Sequence, residues 1–400
     1  MKTGEIRGWH YATREPMRLC WRDGRITSLA PAPAPPAPGL WLAPALVDLQ
    51  VNGYAGVDFQ QDGLGPADLL AAVRGLRAAG CTRFLLTLIT DEWPRLTARL
   101  RHLRAARSRS LELQSAIAGW HIEGPFLSAE PGFHGAHDPS LMLDPRPRHL
   151  RELRAITAGD PLLVTLAPER RGALEAIRLA ASLGMKVSLG HTNASAERLR
   201  AASAAGATGF THLGNACPRE LDRHDNILWR VLDAPGRLTT SLIPDRIHVS
   251  PPLFRLVHRA QPEGAVYYTT DAMAAAGAPP GRYPLGRLEL EVGADQIVRV
   301  PGQTHFAGSA LRPSDGVFRA AEMLRCDWQD AWRRFSETPA RFMGWESGLA
   351  PGRPAHFCAL RLTEAGRLAE LSVVGGVSCG RVPRRGLPAE FEFPNSGLCP

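Results

Sequence analysis

Lysine is nearly missing from this chain: of its 47 basic residues only Lys2 and Lys186 are lysines, so the formal net charge of +8 is carried almost wholly by arginine. That skew reads as a base-composition bias of the coding sequence and argues against a surface built to hold nucleic acid. The densest cluster, residues 101–109, falls on a predicted helix, where a solvated outer face accounts for it. No nucleic-acid partner is expected. The seven cysteines, at 20, 81, 217, 326, 358, 379 and 399, form neither a Cys-x-x-Cys pair nor an even framework. A secreted disulfide scaffold is thereby excluded, and reduced thiols in a cytoplasmic protein are the expectation. No stretch reaches the ~18 apolar residues that a membrane span needs, and residues 1–21 are broken by charges with no apolar h-region. Neither export nor membrane anchoring is expected. Internal repeats at solenoid periods are also missing.

What is present is enough apolar sequence for a large core. The chain has 400 residues of which 44% are hydrophobic, which suits one barrel plus a small accessory domain. Short apolar runs at 45–51, 83–89, 115–122, 162–166, 185–189, 207–211, 238–243 and 265–270 read as eight strands. Between them, stretches such as 67–79, 96–106, 174–183 and 196–205 repeat apolar residues at three- and four-residue steps, the helical period. Strand-helix alternation implies parallel pairing with right-handed crossovers.

A doubly wound open sheet would alternate in the same way, and the polar residues separate the two. Gln50, Glu123, His191, His212 and Asp271 each lie at or just past the C-terminal end of a different strand, the end at which barrels carry their chemistry. The expected fold class is therefore α/β, a (β/α)8 TIM-like barrel over residues 45–345. Residues 1–44 and 346–400 hold short candidate strands and Pro/Gly-rich punctuation, including the connector 31–39. They are expected to pair into one small β-rich domain formed by both termini, with the last dozen residues as a loose tail.

Three strand-end segments carry candidate ligands: His-Ile-Glu-Gly-Pro-Phe at 121–126, Leu-Gly-His-Thr-Asn-Ala at 189–194 and Thr-His-Leu-Gly-Asn-Ala at 211–216. One carboxylate and two imidazoles make a catalytic metal set, because three protein ligands leave a place for water. Singly, each has a plain reading: a hydrogen-bonded histidine or a turn glutamate. Their recurrence at successive strand ends favours a metal held by Glu123, His191 and His212. Asp271, in Tyr-Tyr-Thr-Thr-Asp-Ala-Met at 267–273, ends the eighth strand. It could take a proton from water and return it to a leaving nitrogen, or it could cap a helix.

Taken together, segments 44–53, 121–128, 135–139, 189–195, 211–218, 245–249, 270–277 and 307–309 resemble, in order, the N-acetylglucosamine-6-phosphate deacetylase family of the amidohydrolase superfamily. Most amidohydrolases carry His-x-His at the end of the first strand, where this chain has Gln50-x-Asn52. Amides are poor ligands for a zinc-like ion, and some members with this Gln-x-Asn variant work with one metal. The resemblance implies one divalent ion per chain on Glu123, His191 and His212, Zn2+ first, with Fe2+ and other divalent ions open. It implies Asp271 as catalytic acid/base in the hydrolysis of an acetamide to acetate and an amine. His137, Asn215, Ala216 and His248 would line the sugar pocket, and His248 with Arg223 would meet a phosphate. The partner implied is a small-molecule amino-sugar phosphate, and the assembly a homodimer.

Two departures from the family pattern matter. The stretch after Pro218, Arg-Glu-Leu-Asp-Arg-His-Asp-Asn, replaces an Arg-Glu-Pro-Gly-like segment, which leaves open whether the substrate must be phosphorylated. Pro-Ala-His-Phe-Cys at 354–358 replaces an Ala-Asp-Leu/Phe-Val-like strand. The alternatives are a deacetylase of another N-acylated amino sugar, a related amidohydrolase, or a non-catalytic sugar-binding regulator; loss of a ligand or of Asp271 would favour the last.

Overall fold

A computed structural model describes residues 3–234, 236–302 and 306–375; the part of the terminal expectation that falls on 376–400, tail included, lies outside the described residues. Eight parallel strands follow one another in sequential order: Leu46–Val51, Cys81–Ile89, Ile117–Glu123, Leu162–Leu166, Lys186–Leu189, Gly209–Phe210, Thr239–Leu242 and Val266–Tyr268. Every residue of Leu162–Leu166 is buried, as befits a strand with helices outside and packed side chains inside. The sixth strand is shorter than its expected run of 207–211. Thr208 and Thr211 still donate their N–H groups to Val187 and Leu189 at 2.9 and 2.7 Å, so the hydrogen bonding extends past the regular strand.

Helices cover the outside. Pro66–Ala78 buries Leu69, Ala72, Val73 and Leu76, the three-and-four spacing of one helix face. Ala196–Ala205 begins where Ser195 Oγ accepts from Arg198 N–H at 3.2 Å, an N-cap that satisfies an otherwise orphaned donor. On Trp93–Ser108 the arginine cluster is engaged within the fold: Arg101 pairs with Glu152, and Arg104 and Arg107 pair with Asp160. No helix among the described residues is long and apolar enough to cross a membrane.

The first and eighth strands meet through a side chain. Fully buried Asp48 accepts the Thr270 hydroxyl at 2.6 Å and the Thr270 N–H at 3.1 Å. One residue pair beyond, Asn52 N–H donates to Ala272 O at 2.7 Å. The two chain ends share a six-stranded sheet in the order Leu368–Gly375, His356–Leu362, Leu40–Pro44, Thr3–His10, Pro16–Arg22, Arg25–Pro31. Its core includes Leu19, Trp21, Leu42 and Phe357, with the Trp21 and Phe357 rings edge-on at 5.0 Å. The divergent 354–358 stretch thus still enters a strand, and His356 Nδ1 bonds Thr82 Oγ1 at 3.0 Å.

Sequence periodicity does not announce a third sheet, Gly281–Leu285, Leu288–Val292 and Val298–Arg299. It is inserted between the eighth strand and the helix Pro313–Leu324, and its exposure alternates in the manner of a half-solvated antiparallel hairpin. The hairpin turn is tied to the barrel: Gly286 N–H donates to Asp58 Oδ2 at 2.8 Å, and Arg287 reaches Asp91 and Glu92 at 3.0 Å each.

Candidate metal centre

Glu123 is the last residue of the third strand, and Gly124 lets the chain leave it. Gly124 has φ +89°, and a Cβ there would stand 2.1 Å from Thr90 Oγ1, so only glycine fits. His191 follows the fifth strand, His212 the sixth, and Asp271 the eighth. All three hold left-handed backbone, with φ of +49°, +33° and +52°. For a residue with a Cβ this costs about 1–2 kcal/mol each, and such strain gathers where side chains must be aimed. The Asp271 turn is clamped by Ser309, whose N–H donates to Asp271 O at 2.8 Å and whose hydroxyl donates to Thr270 O at 2.6 Å. No helix begins at Asp271, which removes the capping role.

Three buried donor atoms converge. Glu123 Oε1 is 2.8 Å from His212 Nε2 and 3.4 Å from His191 Nε2, and one atom from each residue lies within 4.8 Å of the others. His191 Nδ1 is 3.1 Å from Phe133 O, a carbonyl that can only accept, so this ring carries its proton on Nδ1. In its neutral form the ring turns its Nε2 lone pair toward Glu123 Oε1, 3.4 Å away, an arrangement that suits a cation held between them. Burial alone would raise the Glu123 carboxyl, but the charged forms of His191 and His212, donating to it, hold it well below the usual range. Burial likewise works against charge on His212, and Glu123 outweighs it, so that imidazole is raised. Two nitrogens and one carboxylate suit zinc and similar divalent ions.

A second carboxylate stands beside this trio. Burial, and after it the negative charge of Glu123, pushes Asp271 up to about 7. Asn52 Nδ2 donates to Asp271 Oδ1 at 2.7 Å, and Gln50 Nε2 donates to that oxygen at 3.0 Å and to Glu123 Oε2 at 2.9 Å. Sequence reasoning weighed Gln50 and Asn52 only as poor ligands and missed them as donors. The available signal was Asp48, Gln50 and Asn52 at two-residue steps, one polar face in an otherwise apolar strand.

The expected pocket residues divide into two groups. His137 joins the cluster: its Nε2 is 3.9 Å from Glu123 Oε2, its ring lies edge-on to His191 at 4.5 Å, and its Nδ1 bonds Thr90 Oγ1 at 2.8 Å. Burial pushes it down to about 3. His248 Nδ1 bonds Asp245 Oδ2 at 2.6 Å; burial opposes its charge, but Asp245 outweighs burial and raises it. The exposed ring of Phe306 lies 5.6 Å from that imidazole. Asn215 and Ala216 follow His212 in a tight turn, with Asn215 N–H donating to His212 O at 2.9 Å and Ala216 at φ +48°. Arg223 stands apart. Its carbonyl accepts from Trp229 Nε1 at 3.1 Å, while its exposed side chain meets no partner among the described residues.

No protein-family model matches the chain. It is 34% identical over 326 residues to the N-acetylglucosamine-6-phosphate deacetylase of Bos taurus, covering 77% of this chain and 76% of that one. It is 32% identical to the N-acetylgalactosamine-6-phosphate deacetylase of Escherichia coli O157:H7, covering 84% and 89%. Among solved structures it matches a mutant N-acetyl-D-glucosamine-6-phosphate deacetylase of Mycobacterium smegmatis in complex with N-acetyl-D-glucosamine-6-phosphate. There the identity is 30%, the TM-score 0.80, and the match covers 91% of this chain and 95% of that one.

Proposed function

We propose that this chain, which belongs to the N-acetylglucosamine-6-phosphate deacetylase family of the amidohydrolase superfamily, holds one divalent cation, zinc in the first instance, on Glu123, His191 and His212. The chain is a hydrolase that converts N-acetylglucosamine 6-phosphate to glucosamine 6-phosphate and acetate. The observation that carries the metal assignment is the convergence of three buried donor atoms from three strand ends, with the His191 lone pair facing Glu123. When bound, such a cation supplies Lewis acidity to a carbonyl and acidifies water.

The chain's own part in the reaction is proton movement and orientation. Asp271, half-buried just past the end of the eighth strand, accepts the proton of the attacking water and returns it to the amide nitrogen as the C–N bond breaks. Acetate and the free amine result. His248, whose charged form Asp245 favours against burial, and the open guanidinium of Arg223 suit an anionic phosphate. His137, Asn215 and Ala216 complete the sugar pocket. We treat the described residues of the expected 1–44 and 346–400 units, 3–44 and 346–375, as one small domain, supported by the shared six-stranded sheet, and 45–345 as the hydrolase barrel. A homodimer follows from the family resemblance. A cytoplasmic setting is the reading we carry over from the cysteine pattern of the sequence.

A second reading, deacetylation of N-acetylgalactosamine 6-phosphate, is favoured by the relative that carries that name. Acetate release from both sugar phosphates and from unphosphorylated N-acetylglucosamine separates the readings. N-acetylglucosamine 6-phosphate is expected to turn over fastest. Faster release from N-acetylgalactosamine 6-phosphate would reverse the assignment, and equal turnover of the unphosphorylated sugar would remove Arg223 and His248 from phosphate recognition.

A further inference from the structure

We propose that Gln50 and Asn52 are positioning residues for the acid/base: a pair of amide donors that fixes which oxygen of Asp271 handles the proton and, through Gln50, ties that carboxylate to Glu123. The inference rests on the assignment of Asp271 made above. Gln50 lies in the first strand and Asn52 just past its end, and their side chains meet at one carboxylate. Asp271 Oδ1 accepts from Asn52 Nδ2 at 2.7 Å and from Gln50 Nε2 at 3.0 Å. Among the described residues no group bonds Oδ2. Oδ1 is therefore saturated by fixed donors, and Oδ2 is the oxygen left to take up and release the proton.

The same Gln50 amide sorts the oxygens of Glu123. Its second hydrogen goes to Glu123 Oε2 at 2.9 Å, while Oε1 faces His191 and His212. Two carboxylates in one dry site repel, and an amide NH2 lying between them offsets that repulsion with one charge-assisted bond to each. Asn52 also shows that donation is what the site requires of it. Its Oδ1 is buried with no partner, an arrangement that costs stability and is tolerated because Nδ2 is engaged. A packing role would ask only for the shape of the side chain. A positioning role asks for the hydrogens.

The test uses variants that keep the shape and lose the donors, Asn52→Leu and Gln50→Met, beside Asp271→Asn. Acetate release, metal affinity and the thermal midpoint of metal-free protein are measured for each. Asn52→Leu is expected to lower kcat at least about tenfold, with KM and metal affinity within about twofold, since general acid/base catalysis contributes roughly 10²–10⁴-fold. Gln50→Met is expected to lower kcat similarly and also to weaken metal binding by about tenfold or more, the usual effect of losing a group that orients a ligand. Should Asn52→Leu not fold, Asn52→Ala is expected to show the same kcat loss. Unchanged kcat in either position, a rise in KM alone, or equal metal loss in both variants overturns the proposal. Full activity in Asp271→Asn overturns instead the assignment on which it rests.

Discussion

Thr270 gives Asp48 both its hydroxyl and its N–H, at 2.6 and 3.1 Å, so the barrel is joined between its first and last strands by a carboxylate. This join lies one residue from Asp271 and two from Gln50, and it holds the acid/base and its amide donors in register. Burial pushes Asp48 up to about 6 against an ordinary 3.8, although the Thr269 and Thr270 hydroxyls pull the other way.

The direction of that shift sets a pH dependence. A carboxyl raised by folding favours its protonated form, so its stabilising contribution is complete below about pH 4 and is lost as pH rises through 6. The difference in unfolding free energy between wild type and Asp48→Asn is expected to move in favour of the variant by about 2–3 kcal/mol between pH 4 and 8. Denaturant melts across that range check it. Asp48→Ala, which strands the Thr270 donors, is expected to cost about 2–4 kcal/mol at pH 4, and that cost should shrink as pH rises through 6, as the Asp48→Asn difference does.

His356 gives the opposite sign. Burial, and then the charges of Arg83 and Arg77, push it down to about 3 from 6.5. The unfolded chain takes a proton first as pH falls, so stability is whole above about pH 6.5 and declines toward pH 3. His356→Leu is expected to flatten that limb of the stability curve relative to wild type. An unchanged acid limb would show that His356 is protonated in the folded protein.

Gly135 backs onto the proposed metal ligands. It has φ +59°, and a Cβ there would stand 2.9 Å from His191 Cε1. Gly135→Ala is expected to turn that imidazole and weaken metal binding about tenfold, as misplacement of a ligand by its supporting residues does, while the metal-free protein stays folded. Metal titration with parallel thermal melts separates the two effects.

Arg230 ties the divergent segment after Pro218 to the loop that follows His191. Its Nε and Nη2 meet both Asp225 oxygens at 2.6 and 3.0 Å, and its Nη1 reaches Asn193 O and Ala194 O at 3.1 and 3.2 Å. Arg230→Ala is expected to loosen the stretch that carries Arg223. KM for the sugar phosphate should rise about fivefold or more, with a smaller change in kcat, the signature of lost substrate binding. A fall in kcat at constant KM would place Arg230 in the chemistry instead.

Much of this architecture is legible in the residues, and the limits have physical reasons. The strand Leu162–Leu166 and the helix Ala196–Ala205 match their sequence-derived spans, because an unbroken apolar run and a Ser195 cap are local signals. Glu123, His191 and His212 are readable because each ends such a run. The donor roles of Gln50 and Asn52 are not readable. Their partner Asp271 is 221 and 219 residues away, and spacing along one strand says nothing about what stands across the barrel. The Asp48 seam is hidden for the same reason, and the hairpin sheet from Gly281 onward is hidden by its half-solvated alternation.

The most direct measurement is the metal content of purified wild type and of Glu123→Ala, His191→Ala and His212→Ala, each shown to be folded, with acetate release followed on the same samples. The expected result is about one divalent ion per chain in wild type, little in any variant, and acetate release only where the ion is retained. A folded variant that keeps both its ion and its activity would contradict the three-ligand centre.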